Sequence, residues 1–254
     1  MKSIFSKKSI LGTMAVAAVC MLGTGNVQAQ EFTIQGDLVS SYVWRGIYQG
    51  GAASFQPTLG FSVGNFSLTA WGSTSLSESN KEIDLTAAYK FGEAGPTLSV
   101  ATLWWDGQAD VANGELTNNY FHFKSGDTGH HFEAGLAYTL PIEKFPLSIA
   151  WYTMFAGADR KTTDEGEEKQ AYSSYVELNY PFSVKGVDLN ATCGVVPYKT
   201  PQYNVNGFAV TNLALKATKA INFNDKFSLP IFVQAIWNPR LEDAHLVFGV
   251  TLRP

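Results

Sequence analysis

The stretch Ser40–Val63, SSYVWRGIYQGGAASFQPTLGFSV, decides how the chain is read. From Phe55 onward it alternates: Phe55, Pro57, Leu59, Phe61 and Val63 take turns with Gln56, Thr58, Gly60 and Ser62. A period of two marks a strand with one apolar and one polar face. Ahead of it, Tyr42 and Trp44 are followed by Arg45 and a glycine-rich loop. An arginine in a fully buried strand carries a large desolvation cost. The segment therefore meets water on one side and something apolar on the other.

The same alternation recurs along the chain. Ile83, Leu85, Ala87, Tyr89 and Phe91 form one apolar row, and Phe132, Ala134, Leu136, Tyr138 and Leu140 another. Tyr172 to Phe182 and Leu246 to Leu252 repeat the pattern. Thr102 and Thr153 fall on apolar rows, and Phe232 on a polar one. Short turns stand at Gly64-Asn65, Gly92–Gly95, Pro141–Phe145, Ser183–Gly186 and Asn224–Lys226. Longer polar loops fall between them, at Gly46–Ser54, Asp106–Thr117, Gly157–Gln170 and Thr200–Asn206. Connections that alternate short and long describe an up-and-down meander of about twelve strands, the even parity a closed membrane barrel takes. The span Tyr120–Thr139 reads either as one strand behind a structured loop or as two.

The N-terminus has the form of an export signal. Lys2, Lys7 and Lys8 precede an apolar run from Ile10 to Leu22, and Val27-Gln28-Ala29 has small residues at a cleavage position. Residues 1–29 are thus expected to be a cleaved signal peptide, with 30–254 a single domain. Cleavage discards Cys20 and leaves Cys193 without a disulfide partner in the chain. It also removes three lysines and no acid, making the chain more acidic than its full-length −4. An acidic exported chain is a poor nucleic-acid binder. No cofactor motif is present.

No apolar run after residue 29 reaches the ~18 residues of a membrane helix. The same alternation also fits a soluble barrel or sandwich whose apolar face points inward; the fold class expected is all-β, an antiparallel up-and-down transmembrane β-barrel with short periplasmic turns and longer extracellular loops. Its polar rows are rich in Ser, Thr, Gly, Ala and Asn, with few of the long charged side chains that a water-facing sheet carries. Aromatic residues at strand ends, Tyr42, Trp44, Trp104, Tyr180 and Trp237, read as girdles at the membrane interfaces. Arg45, of opposite parity to Trp44, is then directed to the lumen with Asp37. Inside a barrel it is either hydrated or paired with a carboxylate. Asp84 and Glu82 are the first candidates, and Glu133 and Glu177 follow. The alternative is that Arg45 organises the first loop through backbone carbonyls.

The quoted stretch resembles the opening of the TorF-like porin family, also called the Gcw_chp outer-membrane family. There a tyrosine, an aromatic residue and Arg-Gly precede a short loop and a Gln-Pro or Gln-Gly strand. KEIDLTAAYKF (Lys81–Phe91) is similar to the family's next element. AYSSYVELNYPF (Ala171–Phe182) and DAHLVFGVTL (Asp243–Leu252) resemble later strands of Bacteroidetes members. The resemblance implies a small porin in the outer membrane of a Gram-negative cell and supplies no substrate. Unlike many outer-membrane barrels, the chain ends in Leu252-Arg253-Pro254 rather than an aromatic residue.

Other motifs lead nowhere specific. Asp127-Thr128-Gly129 matches the aspartic-protease tripeptide but occurs once, and that chemistry needs two carboxylates. His130 and His131 point to opposite faces of a strand and cannot ligate one metal together, whereas His122 shares a parity with His130. Asn190-Ala191-Thr192 is a glycosylation acceptor inside a strand. No nucleophile, base and acid converge, so the chain is read as non-enzymatic. The function expected is passive diffusion of small hydrophilic solutes. The expected partners are those solutes, outer-membrane lipid and lipopolysaccharide, and the outer-membrane assembly machinery. The alternatives are an outer-membrane lipid-modifying enzyme and a non-conducting structural or adhesive barrel. Whether the lumen is open or plugged stays undecided at this level.

Overall fold

The computed structural model describes residues 30–106, 111–112, 115–116, 119–124, 128–224 and 227–254. The expected signal peptide, Asp127 of the protease-like tripeptide, and Asp225-Lys226 of the last short turn lie outside them. The strands are β1 (Gln30–Val39), β2 (Tyr42–Trp44), β3 (Ile47–Gly50), β4 (Ser54–Val63), β5 (Phe66–Ser75), β6 (Lys81–Lys90) and β7 (Thr97–Trp105). They continue with β8 (Val111–Ala112), β9 (Glu115–Leu116), β10 (His130–Thr139), β11 (Ser148–Gly157), β12 (Arg160–Thr162) and β13 (Glu168–Gln170). The last five are β14 (Ser174–Val184), β15 (Val187–Val196), β16 (Ala209–Asn224), β17 (Phe227–Asn238) and β18 (Asp243–Leu252). Among the described residues there is no helix.

Twelve of these strands close into one antiparallel barrel, in the order β1-β18-β17-β16-β15-β14-β11-β10-β7-β6-β5-β4. Chain order and spatial order coincide, as in an up-and-down meander. Closure runs through β1 and β18, with Asp37 opposite Thr251 and Val39 opposite Gly249. A closed barrel leaves no row of unpaired backbone groups, which is the condition for placing a sheet in hydrocarbon. The span Tyr120–Thr139 contributes a single barrel strand, β10, preceded by a connection. The pairs β2-β3, β8-β9 and β12-β13 are hairpins inserted in the connections at one end.

The exterior carries the apolar rows. Phe32, Ile34, Leu59, Leu136, Trp151, Leu246 and Phe248 all lie outward and exposed, Phe32 at 67% and Leu59 at 56%. A water-soluble barrel would bury such rows. At about 25 cal/mol per Å² of apolar surface removed from water, their exposure is tolerable only against lipid. Most of the wall strands run nine to twelve residues, the length that a tilted strand needs to cross a bilayer. The residues that break the pattern have local reasons. Outward Thr102 bonds His130 Nδ1 at 2.7 Å, and outward Thr153 shares a 2.7 Å hydrogen bond with Ser174. Phe232 points inward and packs with Val39, Ala214, Ile236 and Val247.

The two ends of the lumen differ. At the loop end, inward Leu103, Trp105, Glu133, Met154, Tyr175, Val196 and Asn238 are buried. Toward the turn end, inward Gln35, Thr58, Thr69, Thr86, Asn179, Asn190 and Lys216 remain partly exposed. The barrel is a polar cup open toward its short turns and filled toward its long loops.

Candidate functional site

The filling of the loop end starts at Ser40. Its N–H donates to Phe248 O at 2.8 Å and its Oγ accepts from Phe248 N–H at 3.0 Å, the last contacts of β1 with the wall. The chain then bends at Ser40-Ser41 and enters the barrel as the hairpin β2-β3. Its two-residue turn is Arg45-Gly46, with φ of 49° and 81°, closed by the pair Trp44 and Ile47. Two positive φ values define the turn type that matches the twist of a tight hairpin. The Lys185-Gly186 turn between β14 and β15 uses the same device, at φ of 50° and 75°.

Arg45 accepts a left-handed conformation, which costs an L-residue about 1–2 kcal/mol. Its surroundings offset this. Nη1 donates to Glu133 Oε2 at 2.6 Å and Nη2 to Glu133 Oε1 at 2.8 Å, a two-pronged ion pair. Nη1 also donates to the Tyr203 hydroxyl at 2.7 Å. Burial pushes the Tyr203 phenol above its ordinary value, so it accepts that bond as a neutral group. The guanidinium lies 4.7 Å from the Trp44 ring centre, 4.5 Å from Tyr152 and 4.8 Å from Tyr175. Such cation–ring contacts are strongest where water is excluded. The Trp44 ring stacks on Tyr203 at 5.6 Å and meets Trp105 edge-on at 5.4 Å.

The hairpin tip is seated on the wall strands β16 and β17. Asn238 Nδ2 of β17 donates to Gly46 O at 3.0 Å. A Cβ at Gly46 would stand 1.9 Å from Thr211 O, so glycine is required there for close approach as well as for its φ. A second loop segment, Thr200–Val205, closes over the tip with Tyr203 and Val205 buried. It is tied down through the Ser173 hydroxyl, which contacts Thr200 Oγ1 and donates to Asp159 Oδ1 at 2.5 Å. Burial raises the Asp159 carboxyl above its ordinary value although Ser173 and Gln170 donate to it. Above the hairpin, Trp44, Tyr48, Trp105, Asp159, Arg160 and Gln202 line a cavity of about 380 Å³.

Two of the expected girdle residues are placed differently. Tyr42 and Trp44 do not face lipid: they belong to the inserted hairpin, Tyr42 packing on inward Trp71 at 5.7 Å. The bend at Ser40-Ser41 breaks the parity that a continuous strand would have carried to them. Trp104 is outward but covered, 8% exposed, with the Tyr120 ring 5.5 Å away. Tyr180 is outward beside Phe145 and Phe182, and Trp237 is outward and 52% exposed. Trp151 is outward and exposed as well, though it was not among the expected girdle residues.

The lumen candidates Asp37, Glu82, Asp84, Glu133 and Glu177 all stand on inward register positions. Among them Arg45 pairs with Glu133, whereas Glu82 and Asp84 were the first partners expected. Glu177 accepts from Tyr175 Oη at 2.8 Å and Asn179 Nδ2 at 2.6 Å, and Asp37 from Gln35 Nε2 at 3.4 Å. Sequence reasoning missed Tyr152, Tyr175, Tyr203, Gly46 and Asn238. The inward parity of Tyr152 and Tyr175 was a usable signal, and so was the match between Arg45-Gly46 and the Lys-Gly turn.

The remaining motifs resolve plainly. His131 points inward against Trp105 and His130 outward against Trp104, as alternation requires. Thr128 Oγ1 donates to His122 O at 2.7 Å and accepts from His130 N–H at 3.1 Å, a turn contact. Asn190 faces the lumen and donates to Asn179 Oδ1 at 2.9 Å. Cys193 is outward, opposite Leu178, and half-buried.

A closed barrel with an apolar exterior, a polar interior and an inserted hairpin defines the class: a membrane-spanning β-barrel of the outer-membrane kind. No protein-family model matches the chain, and no curated protein matches it by sequence. Solved structures do match in shape. An outer membrane channel from Pseudomonas putida F1 aligns at 10% identity and TM-score 0.41, over 91% of this chain and 98% of that one. The translocator domain of the autotransporter NalP from Neisseria meningitidis aligns at 12% identity and TM-score 0.38, over 96% and 94%. A bacterial polysaccharide outer membrane secretin aligns at 12% and 0.36, over 91% and 100%.

Proposed function

We propose that this protein is an outer-membrane channel for small hydrophilic solutes, with the β2-β3 hairpin as the element that limits passage. The supporting observation is the asymmetry of the lumen. Its turn end is an open polar cup of Ser, Thr, Asn and Gln side chains, and its loop end is filled by a hairpin held largely through its tip. A purely structural barrel has no use for a hydrated half-lumen, since its stability is served by side chains filling the whole interior. Passage past the hairpin depends on the Arg45 latch, where charge and size select together.

The test is single-channel recording of the refolded chain, residues 30–254, in a planar bilayer, with Arg45→Ala alongside. Discrete current steps that grow or lengthen in the variant are the expected result. A folded protein that inserts and passes no current, with or without the substitution, would sink the reading.

A further inference from the structure

The cavity above the hairpin lies where segments distant in sequence meet: β3, the end of β7, the β11–β12 junction and the loop at Pro201-Gln202. At about 380 Å³ it falls within the ~300–1,000 Å³ of small-molecule sites. Its polar groups are largely unspent. The Gln202 side chain and the Tyr48 hydroxyl make no hydrogen bond within the protein. The Gln49 amide has one long contact, 3.4 Å to Ile47 O.

Arg160 brings the charge. A guanidinium carries five N–H donors. Here they make one long bond, from Nη2 to Glu168 O at 3.3 Å, and the buried Nε–H has no partner. Arg160 enters no ion pair. Asp159 lines the same cavity, but its oxygens are taken by Ser173 N–H, Ser173 Oγ and Gln170 Nε2. The contrast with Arg45 is plain: that guanidinium is committed to Glu133 and Tyr203. The chain is net acidic, so Arg160 is not one cation in a generally basic surface.

An arginine with spare donors takes a carboxylate through two parallel hydrogen bonds. Amides and a phenol donate and accept alike, which suits hydroxyl groups. We infer that this cavity is a binding site for small hydroxylated carboxylates of the sugar-acid type, with Arg160 taking the carboxylate and Tyr48, Gln49 and Gln202 the hydroxyls. The inference rests on the channel reading for its purpose: it gives the channel a solute class and gathers that solute ahead of the Arg45 latch.

Trp44 and Trp105 line the cavity, so binding is followed by tryptophan fluorescence without any need for current. The refolded chain, residues 30–254 in detergent, is titrated with D-glucuronate, with D-glucose as the same ring lacking the charge. The expected result is a saturable change with glucuronate and at least about tenfold weaker binding of glucose, the worth of a charged hydrogen-bonded contact. Arg160→Gln should weaken glucuronate by a similar factor and leave glucose as it was. Gln202→Ala should weaken both about threefold and guards against an Arg160 variant that fails to fold. Lys144→Gln, in a short turn at the other end, removes the same charge and should change nothing. No saturable response in the folded wild type overturns the inference. So does equal binding of glucose and glucuronate, or glucuronate binding unchanged in Arg160→Gln and Gln202→Ala. A barrel that conducts and does not bind glucuronate fails this inference alone, and one that binds it and passes no current fails the channel reading alone.

Discussion

Arg45 and Glu133, 88 residues apart in the chain, meet through two hydrogen bonds of 2.6 and 2.8 Å inside the barrel. Their side chains are 13% and 6% exposed, so neither charge has bulk water to fall back on. Removing one partner of such a pair leaves the other buried and uncompensated, at about 3–5 kcal/mol. Glu133→Gln and Arg45→Ala are therefore each expected to destabilise the folded barrel by that order in urea unfolding followed by tryptophan fluorescence. The double variant should cost clearly less than the two singles together, because the second change removes a charge already stranded. Simple additivity would mean that the pair is not coupled in the folded protein.

Gly46→Ala tests the seat rather than the latch. The substitution meets two obstacles: a φ of 81° and a backbone oxygen, Thr211 O, 1.9 Å from the new Cβ. A flexible side chain could move aside, but a carbonyl in a wall strand cannot. The hairpin tip should lift from β16 and β17 while the barrel, whose ladders do not include Gly46, stays closed. The expected outcome is a folded barrel by circular dichroism whose hairpin becomes accessible to protease. Protection equal to wild type would place the tip elsewhere.

The barrel was legible because its signal is repeated. Period-two alternation recurs in strand after strand, and alternating short and long connections fix the meander. Register arithmetic then set Asp37, Glu82, Asp84, Glu133 and Glu177 inward from their own strands alone. It failed at Tyr42 and Trp44 for one reason. Parity carries along a strand only while the strand continues, and here two serines end β1 just before the aromatics. An Arg-Gly pair does not announce a positive-φ turn as Asn-Gly does, so the segment read as strand running into loop. The choice of Glu133 over Glu82 as partner could not be read at all. It depends on how far a hairpin reaches across a lumen, a distance set by closure of all twelve strands. Tyr203, from a loop far along the chain, is beyond local pattern for the same cause.

Leu59 and Thr58 are neighbours in β4 that face opposite media. Leu59 is outward and 56% exposed at mid-strand, and Thr58 is inward opposite Trp71. Leu59→Arg is expected to destabilise folding into lipid vesicles by about 2–4 kcal/mol, the cost of an arginine on the lipid face near the bilayer midplane. Thr58→Arg, entering the hydrated half-lumen, should cost well under half as much. Titration with urea in the presence of vesicles separates them. Equal costs, or the reverse order, would place water outside the barrel.

Charge in the open half of the lumen sets the last expectation. Lys216 stands inward there, its ammonium 3.8 Å from the Phe232 ring centre, and Glu177 is inward on β14, held by Tyr175 and Asn179. Glu177 meets the Arg45 latch only through the Tyr175 hydroxyl, and neither residue is bonded to Arg45 itself, so neutralising them should alter ion preference more than current size. Lys216→Gln removes the positive wall and should move the reversal potential in a KCl gradient toward cation selectivity. Glu177→Gln should move it the other way. Both shifts should shrink as salt rises, because at 0.1 M fields are screened over about 10 Å and at 1 M over about 3 Å. Opposite shifts of this kind put the two residues on the conducting path. Shifts of one sign, or none, would take the path away from this half of the lumen and leave the cup as a feature of assembly rather than of transport.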